Sequence, residues 1–131
     1  MDFPLQSKGI LRASLERGLY RLALDVDPGI VEMARALVPW HFRLNRTRFA
    51  PHVSVVRELT DLPGWGRHDG EEVRFDYSPF VHYDDTYFWL RVESARLREV
   101  RVELGLPATD WYVRPPDDTD CQHLTIGNLK G

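Results

Sequence analysis

The chain has 131 residues, of which 43% are hydrophobic and 11% aromatic, and its formal net charge is −3 at pH 7. These values predict one globular domain over residues 1–131 and exclude both a disordered chain and a protein that binds polyanions through bulk positive charge. No apolar run reaches the length of a membrane span and the single cysteine, Cys121, allows no internal disulfide, so we expect a cytoplasmic protein with no membrane partner and no obligate protein partner.

The first third of the chain is predicted to run strand, helix, strand after an N-terminal segment. Residues 1–17 predict either a short helix or an arm packed on the domain, and the alternation from Gly18 to Asp25 predicts a strand. Asp27 and Pro28 then predict a helix, because aspartate is a good N-cap and proline fits the first helical position. The residues expected on the buried side of this helix are Ile30, Met33, Ala34 and Leu37.

The strand that completes this unit is predicted at Pro51 to Glu58, where branched apolar residues dominate. Because strand side chains alternate, His52 and Ser54 are expected on one face and Val53 on the other. Simple alternation places Arg57 on the face opposite His52, where a structural salt bridge is as good an interpretation as contact with a phosphate. A β-bulge in this strand would reverse the face of Arg57.

The second half of the chain is predicted to contain a loop, three strands and a helix before its last strand. Residues 59–70 predict the loop because they contain Pro63 and three glycines. The strands are predicted at Glu71 to Tyr77, Pro79 to Tyr83 and Thr86 to Val92. A helix is predicted from about Ser94, and it is expected to bury Leu97, Val100 and Leu104.

The last strand, within Gln122 to Asn128, repeats the pattern of the first motif. Here His123 and Thr125 are expected on one face, and Leu124 on the other. Each strand, helix, strand unit therefore ends in His-x-(Ser/Thr). We expect the two histidine strands to face each other across one cleft.

Two histidines that face one pocket are suited to general acid–base catalysis, because histidine titrates close to neutral pH. In the cleavage of a phosphodiester, one ring accepts a proton from the attacking hydroxyl or water and the other protonates the leaving oxygen. The in-line geometry of this reaction requires two groups that flank the phosphate. The predicted catalytic residues are His52 and His123, and Ser54 and Thr125 are predicted to bind the phosphate oxygens.

The paired motifs His52-Val53-Ser54 and His123-Leu124-Thr125 resemble those of the 2H phosphoesterase superfamily. The segment from Tyr87 to Val92, followed by a helix, is similar to the region before the second motif in RNA 2′,3′-cyclic phosphodiesterases. This resemblance implies an α+β fold that is bilobal and pseudo-symmetric, with two antiparallel sheets around a central cleft and helices outside. Gln122 departs from the pattern, because relatives often have proline directly before the second histidine.

In length the chain resembles compact phage-encoded members of the superfamily, which degrade the cyclic oligonucleotide signals of bacterial anti-phage defence (CBASS). The resemblance therefore implies a metal-independent hydrolase of 3′-5′ or 2′-5′ linkages that acts in the host cytoplasm. RNA 2′,3′-cyclic phosphodiesterase activity in RNA end processing or repair is the alternative. The residues proposed to stack on bases or to contact substrate are Tyr20, Arg57, Trp111 and Tyr112.

A second alternative is a non-catalytic module that binds nucleotides or RNA in the same cleft. Fifteen of the seventeen basic residues are arginines, whose planar side chains suit phosphate. Arg43, Arg46 and Arg48 precede the first motif and are either a phosphate-attracting patch or a solvated, salt-bridged surface. No spacing typical of zinc ligands occurs, so we expect no metal and no cofactor.

Overall fold

The computed structural model describes residues 3–108 and 121–130, so the predictions for Trp111 and Tyr112 lie outside the described residues. Its six strands are β1 (Leu5–Glu16), β2 (Leu19–Val26), β3 (His52–Glu58), β4 (Glu72–Tyr83), β5 (Tyr87–Glu93) and β6 (Gln122–Asn128). Its helices are α1 (Pro28–Ala36), α2 (Ala95–Glu103) and a short 3-10 helix (Trp40–Phe42).

The strands close into one antiparallel barrel in the order β1-β2-β3-β6-β5-β4. The predicted bilobal α+β fold with two sheets is therefore wrong, and the described chain is mostly β. The barrel closes because β1 pairs on both sides, with Gly9 opposite Val26 of β2 and also opposite Val73 of β4. A Cβ atom on Gly9 would lie 2.2 Å from the carbonyl oxygen of Asp25, so this crossing requires glycine.

We had expected a short helix or a packed arm in the N-terminal segment. Residues 5–16 instead form the first strand of the barrel. Leu11 and Leu15 are four residues apart, which fits a helix, yet Leu11 is fully buried while Leu15 is 51% exposed. Arg17 and Gly18 have φ angles of 51° and 77°, which is the left-handed conformation needed in a two-residue turn between twisted strands. Pairing with two neighbouring strands thus overrides the local helical spacing.

Helix α1 begins as predicted, with the Asp27 side chain accepting a 2.9 Å hydrogen bond from the Gly29 amide. Its buried side is different from the prediction. Met33 and Leu37 are 74% and 68% exposed, whereas the buried residues are Ile30, Val31 and Ala34. The buried stripe of this nine-residue helix is therefore narrow and includes Val31 in place of Met33 and Leu37.

The second half of the chain follows the prediction more closely. Strand β4 is continuous where two strands were predicted, and its pairing with β5 shifts between Tyr77 and Val81, around Pro79. Proline cannot donate to the ladder, which explains the irregularity. Helix α2 is capped by Ser94 and, as predicted, Leu97, Val100 and Leu104 are buried. No helix of the described residues is both long enough and apolar enough to cross a membrane.

Candidate active site

The two histidine motifs lie on neighbouring strands of the barrel wall. Strands β3 and β6 pair antiparallel, with Val53 opposite Leu124, and both of these side chains are fully buried inside the barrel. Alternation then puts the flanking motif residues on the outer face, listed here as His52, Ser54, His123 and Thr125. The strands therefore lie side by side in one sheet and do not face each other across a cleft, which corrects our expectation.

The register defines how the four polar groups are arranged. Val53 and Leu124 form the pair that joins these two strands. Regular antiparallel alternation on either side of this pair would set His52 opposite Thr125 and Ser54 opposite His123. Opposite residues have Cβ atoms about 5 Å apart, and the two histidines, on the diagonal, are separated by about 7–8 Å. Each histidine thus has the hydroxyl of the other motif beside it.

His52 is oriented by a hydrogen bond to the main chain. Its Nδ1 lies 2.8 Å from the carbonyl oxygen of Ala50, which can only accept, so Nδ1 carries the proton and Nε2 holds the lone pair of the neutral ring. Burial lowers the pKa of His52 and the bond to Ala50 opposes this, while the positive charge of Arg21 lowers the pKa further. His52 is therefore held in the form that accepts a proton at Nε2.

A β-bulge brings Arg57 to the same face as His52. Leu22 pairs with Val56, but the next residue of β2, Ala23, pairs with Ser54, so Val55 is an extra residue in β3. Beyond this bulge the alternation is inverted, and Arg57 lies on the outer face, opposite Arg21. The positive charge of Arg57 is one of the influences that lower the pKa of His52. Of the two interpretations of Arg57, the one that requires a bulge has the correct face.

His123 lies against strand β5, where sequence reasoning identified no site residue. Its ring stacks on Trp89 with centroids 5.0 Å apart and planes at 11°, and Trp89 stacks in turn on His82 at 6.3 Å. Arg91 is directly opposite His123, and Trp89 is opposite Thr125. His123 is 9% exposed. Because side chains alternate along β5, a buried Leu90 implies that Trp89 and Arg91 lie on the outer face, the same face as His123.

Of the remaining predicted substrate contacts, Tyr20 is the one within the described residues, and it is not brought to this face. Tyr20 lies on the core side of β2 and packs edge-to-face on Trp65, with centroids 5.3 Å apart. Arg46 forms an ion pair with Glu32, as the salt-bridged interpretation of that cluster predicts. Arg48 is different, because its guanidinium lies 5.8 Å from the ring centroid of Phe49.

A cavity of about 580 Å³ lies on a different part of the barrel. It is lined by β1, β4 and the start of α2, with Ser7, Arg74 and Ser94 among its residues, and it does not include either histidine. Within residues 3–108 and 121–130, no group of three or more histidine, cysteine, aspartate or glutamate side chains is placed to hold a metal ion.

Comparison of the chain with family models, with curated proteins and with solved structures gives no match. The geometry of the two histidine strands is therefore the basis for assigning a function. That geometry combines a histidine oriented by the main chain, a second histidine on the neighbouring strand, two hydroxyls and nearby arginines.

Proposed function

We propose that this protein is a metal-independent phosphodiesterase that cleaves 3′-5′ or 2′-5′ nucleotide linkages by two-histidine acid–base catalysis. The observation that carries the proposal is the pairing of Val53 with Leu124, which sets His52 and His123 diagonally on one outer face. Packing accounts for His123, which stacks on the buried Trp89, better than it accounts for His52.

In the proposed mechanism His52 is the general base and His123 the general acid. Nε2 of His52 takes the proton from a ribose 2′-hydroxyl or from water, whose oxygen forms a new bond to phosphorus. The bond from phosphorus to the leaving oxygen breaks, and His123 gives that oxygen a proton. The lowered pKa of His52 supports its assignment as base, because the ring is neutral before the reaction.

The hydroxyls of Ser54 and Thr125 are proposed to donate hydrogen bonds to the non-bridging oxygens of the phosphate. Arg57 on one side and Arg91 on the other are proposed to stabilise the charge that develops there. Arg91 lies on β5, directly opposite His123. Arg57 lies on β3 itself, three residues after Ser54. Removal of either charge should therefore weaken transition-state binding more than it weakens folding.

The proposed substrates are cyclic oligonucleotides, as in phage evasion of CBASS, with RNA 2′,3′-cyclic phosphate ends as the alternative. The alternative is favoured by one observation: the described part of the site is a face of the barrel wall bordered by arginines, which suits an extended polyanion. Both substrate classes occur in the cytoplasm, where the single cysteine would remain reduced.

The test is a substrate panel in the presence of a chelator, with products identified by mass. Cyclic di- and trinucleotides, linear 2′-5′ oligoadenylate and RNA with a 2′,3′-cyclic phosphate end should be compared. We expect turnover that persists in chelator and falls about 100- to 10,000-fold in His52→Ala and in His123→Ala. His41→Ala is the matched control, because His41 is exposed and lies on the 3-10 helix outside both motifs.

Two results would contradict the mechanism. Full turnover by either motif variant would show that the histidine does not act in catalysis, and loss of turnover in chelator would indicate a metal-dependent reaction. Tight nucleotide binding without turnover, unchanged in both variants, would instead identify a non-catalytic binding module.

A further inference from the structure

Phe49 is an exposed aromatic residue beside the proposed base. Phe49 is 51% exposed and lies three positions before His52. The two rings meet edge-to-face, with centroids 6.4 Å apart. The guanidinium of Arg21 lies 4.9 Å from the centroid of the Phe49 ring, and that of Arg48 lies 5.8 Å away. An apolar ring with two cations thus borders the His52 side of the site.

The segment that carries Phe49 is held by hydrogen bonds at three successive carbonyl groups. The carbonyl of Phe49 accepts from the hydroxyl of Thr47 at 2.8 Å, and that of Ala50 accepts from Nδ1 of His52 at 2.8 Å. The carbonyl of Pro51 accepts from the amide of Val26 at 3.2 Å. The position of the ring relative to His52 is therefore defined before a ligand binds, which reduces the entropy lost on binding.

The charges beside Phe49 are arranged in a way that favours an anion. Arg21 and Arg57 are directly opposite each other on β2 and β3, on the outer face. Like charges in this position destabilise a sheet, and a bound phosphate relieves the repulsion because each guanidinium can donate two hydrogen bonds to it. Asp25 also lies nearby, opposite His52, but its carboxylate is 3.6 Å from Arg12 on the other neighbouring strand.

We propose that Phe49, with the Arg21–Arg57 pair, forms a nucleotide subsite on the His52 side of the scissile phosphate, where the nucleobase stacks on Phe49 and Arg21. This inference rests on the proposed function. When the attacking group is a ribose 2′-hydroxyl, which gives its proton to His52, the stacked base belongs to the nucleoside that carries this hydroxyl, on the 5′ side of a cleaved 3′-5′ linkage. A planar base suits both a phenyl ring and a guanidinium, whatever its sequence.

The test uses an adenosine dinucleotide with a 3′-5′ linkage and its two singly abasic versions. In Phe49→Ala we expect kcat/KM for the full dinucleotide to fall about 5- to 150-fold, mainly through KM, as expected for the loss of one stacking contact. The same variant should cleave the dinucleotide that is abasic on the 5′ side as well as the unmodified protein does, which also shows that it folds. Phe49→Trp should retain activity, and Trp40→Ala is the matched control because Trp40 is 85% exposed on the 3-10 helix.

A binding measurement separates failure of this inference from failure of the proposed function. The probe is the same dinucleotide with 2-aminopurine on the 5′ side, bound to His123→Ala with and without Phe49→Ala. Binding that depends on Phe49 supports the subsite even if the unmodified protein shows no turnover. An equal loss of kcat/KM on all three dinucleotides, or turnover and binding that are unaffected by Phe49→Ala, would overturn the subsite and leave the catalytic proposal standing. The absence of both turnover and binding would overturn both.

Discussion

His52 is subject to opposing charges that can be changed one at a time. Burial is the largest influence and lowers its pKa, the hydrogen bond to Ala50 raises it, Arg21 lowers it and Asp25 raises it. A histidine whose pKa is lowered stays neutral, and therefore able to act as a base, at pH values below the ordinary 6.5. The ascending limb of the pH profile of kcat/KM should accordingly lie below pH 6.5.

The two charged neighbours should move this limb in opposite directions. Arg21→Gln removes a charge that disfavours the imidazolium, so the limb should move to higher pH. Asp25→Asn removes a charge that favours it, so the limb should move to lower pH. The measurement is kcat/KM from pH 4.5 to 8 for both variants, in which the position of the limb is read independently of its height. Shifts in the same direction, or none, would show that His52 is not the group that titrates.

The faces of the motif residues follow from alternation, and this is the part of the site that the sequence predicts. The alternation of His52 with Val53, and of His123 with Leu124, is local information. The face of Arg57 is not local information, because it follows from the β-bulge at Val55. The carbonyl oxygen of Val55 accepts a 2.7 Å hydrogen bond from Arg101 on α2.

Helix α2 thus contacts the bulged residue of strand β3 through one buried side chain. Arg101 is 2% exposed, and it also donates a 2.7 Å hydrogen bond to the carbonyl of Pro107 after the helix. An arginine at this position did not look like a core residue in the sequence, since charged residues are rarely buried without partners. Two of its partners are backbone carbonyls, which no side-chain pattern reveals.

Replacement of Arg101 should affect both stability and the position of Arg57. In Arg101→Met we expect the free energy of unfolding to fall by about 1–3 kcal/mol, because buried carbonyls lose their donor, and kcat/KM to fall as well. Arg57→Ala should then have less effect in the Arg101→Met background than alone, as measured in a double-mutant cycle. Additive effects would contradict the coupling.

The control for this cycle is Arg98→Met on the same helix. Arg98 donates to Glu93 at 2.6 Å and to the carbonyl of Ala108 at 2.9 Å, so its loss also costs stability. Because it does not contact the bulge, Arg98→Met should leave the effect of Arg57→Ala unchanged.

A second contact between elements is an ion pair that joins the loop before β4 to helix α2. Both carboxylate oxygens of Glu71 accept from Arg96, at 2.7 and 3.0 Å, and one also lies 3.1 Å from Nδ1 of the buried His68. The hydrogen bonds from Arg96 lower the pKa of Glu71 from 4.5 to about 2, with His68 adding to the effect. A carboxyl whose pKa is lowered in the folded state stabilises it above pH 4.5, and this stabilisation is lost as the pH falls toward 2.

Arg96→Met should therefore reduce the acid sensitivity of the fold. The unmodified protein is expected to lose stability between about pH 4.5 and pH 2, and the variant, already less stable at pH 7, is expected to lose less over that range. Urea unfolding at a series of pH values measures both slopes. Lys8→Met is the control, because Lys8 pairs with Glu72 at 3.3 Å on the surface, where both side chains are more than half exposed. Equal slopes in Arg96→Met and the unmodified protein would contradict the role of this contact.

At the scale of the whole molecule, the sequence predicts the elements better than it predicts their assembly. The caps at Asp27 and Ser94 and the strands that carry the histidines are encoded locally. The closed barrel is not, because it depends on β1, whose residues become a strand only by pairing with β2 and β4. The two-sheet fold was expected from the resemblance to a family, because the sequence does not show which strand edges pair with each other.

Strand β6 lies between β3 and β5 in the barrel, although it is the last strand in the chain. Before it is in place, both neighbours expose a row of unpaired backbone N–H and C=O groups, which is the kind of edge from which strands of different molecules associate. The pairing of Val53 with Leu124 is also a long-range contact, and such contacts form late in folding. During folding, therefore, the step that places His123 on the strand beside Ser54 is also the step that removes the two exposed edges.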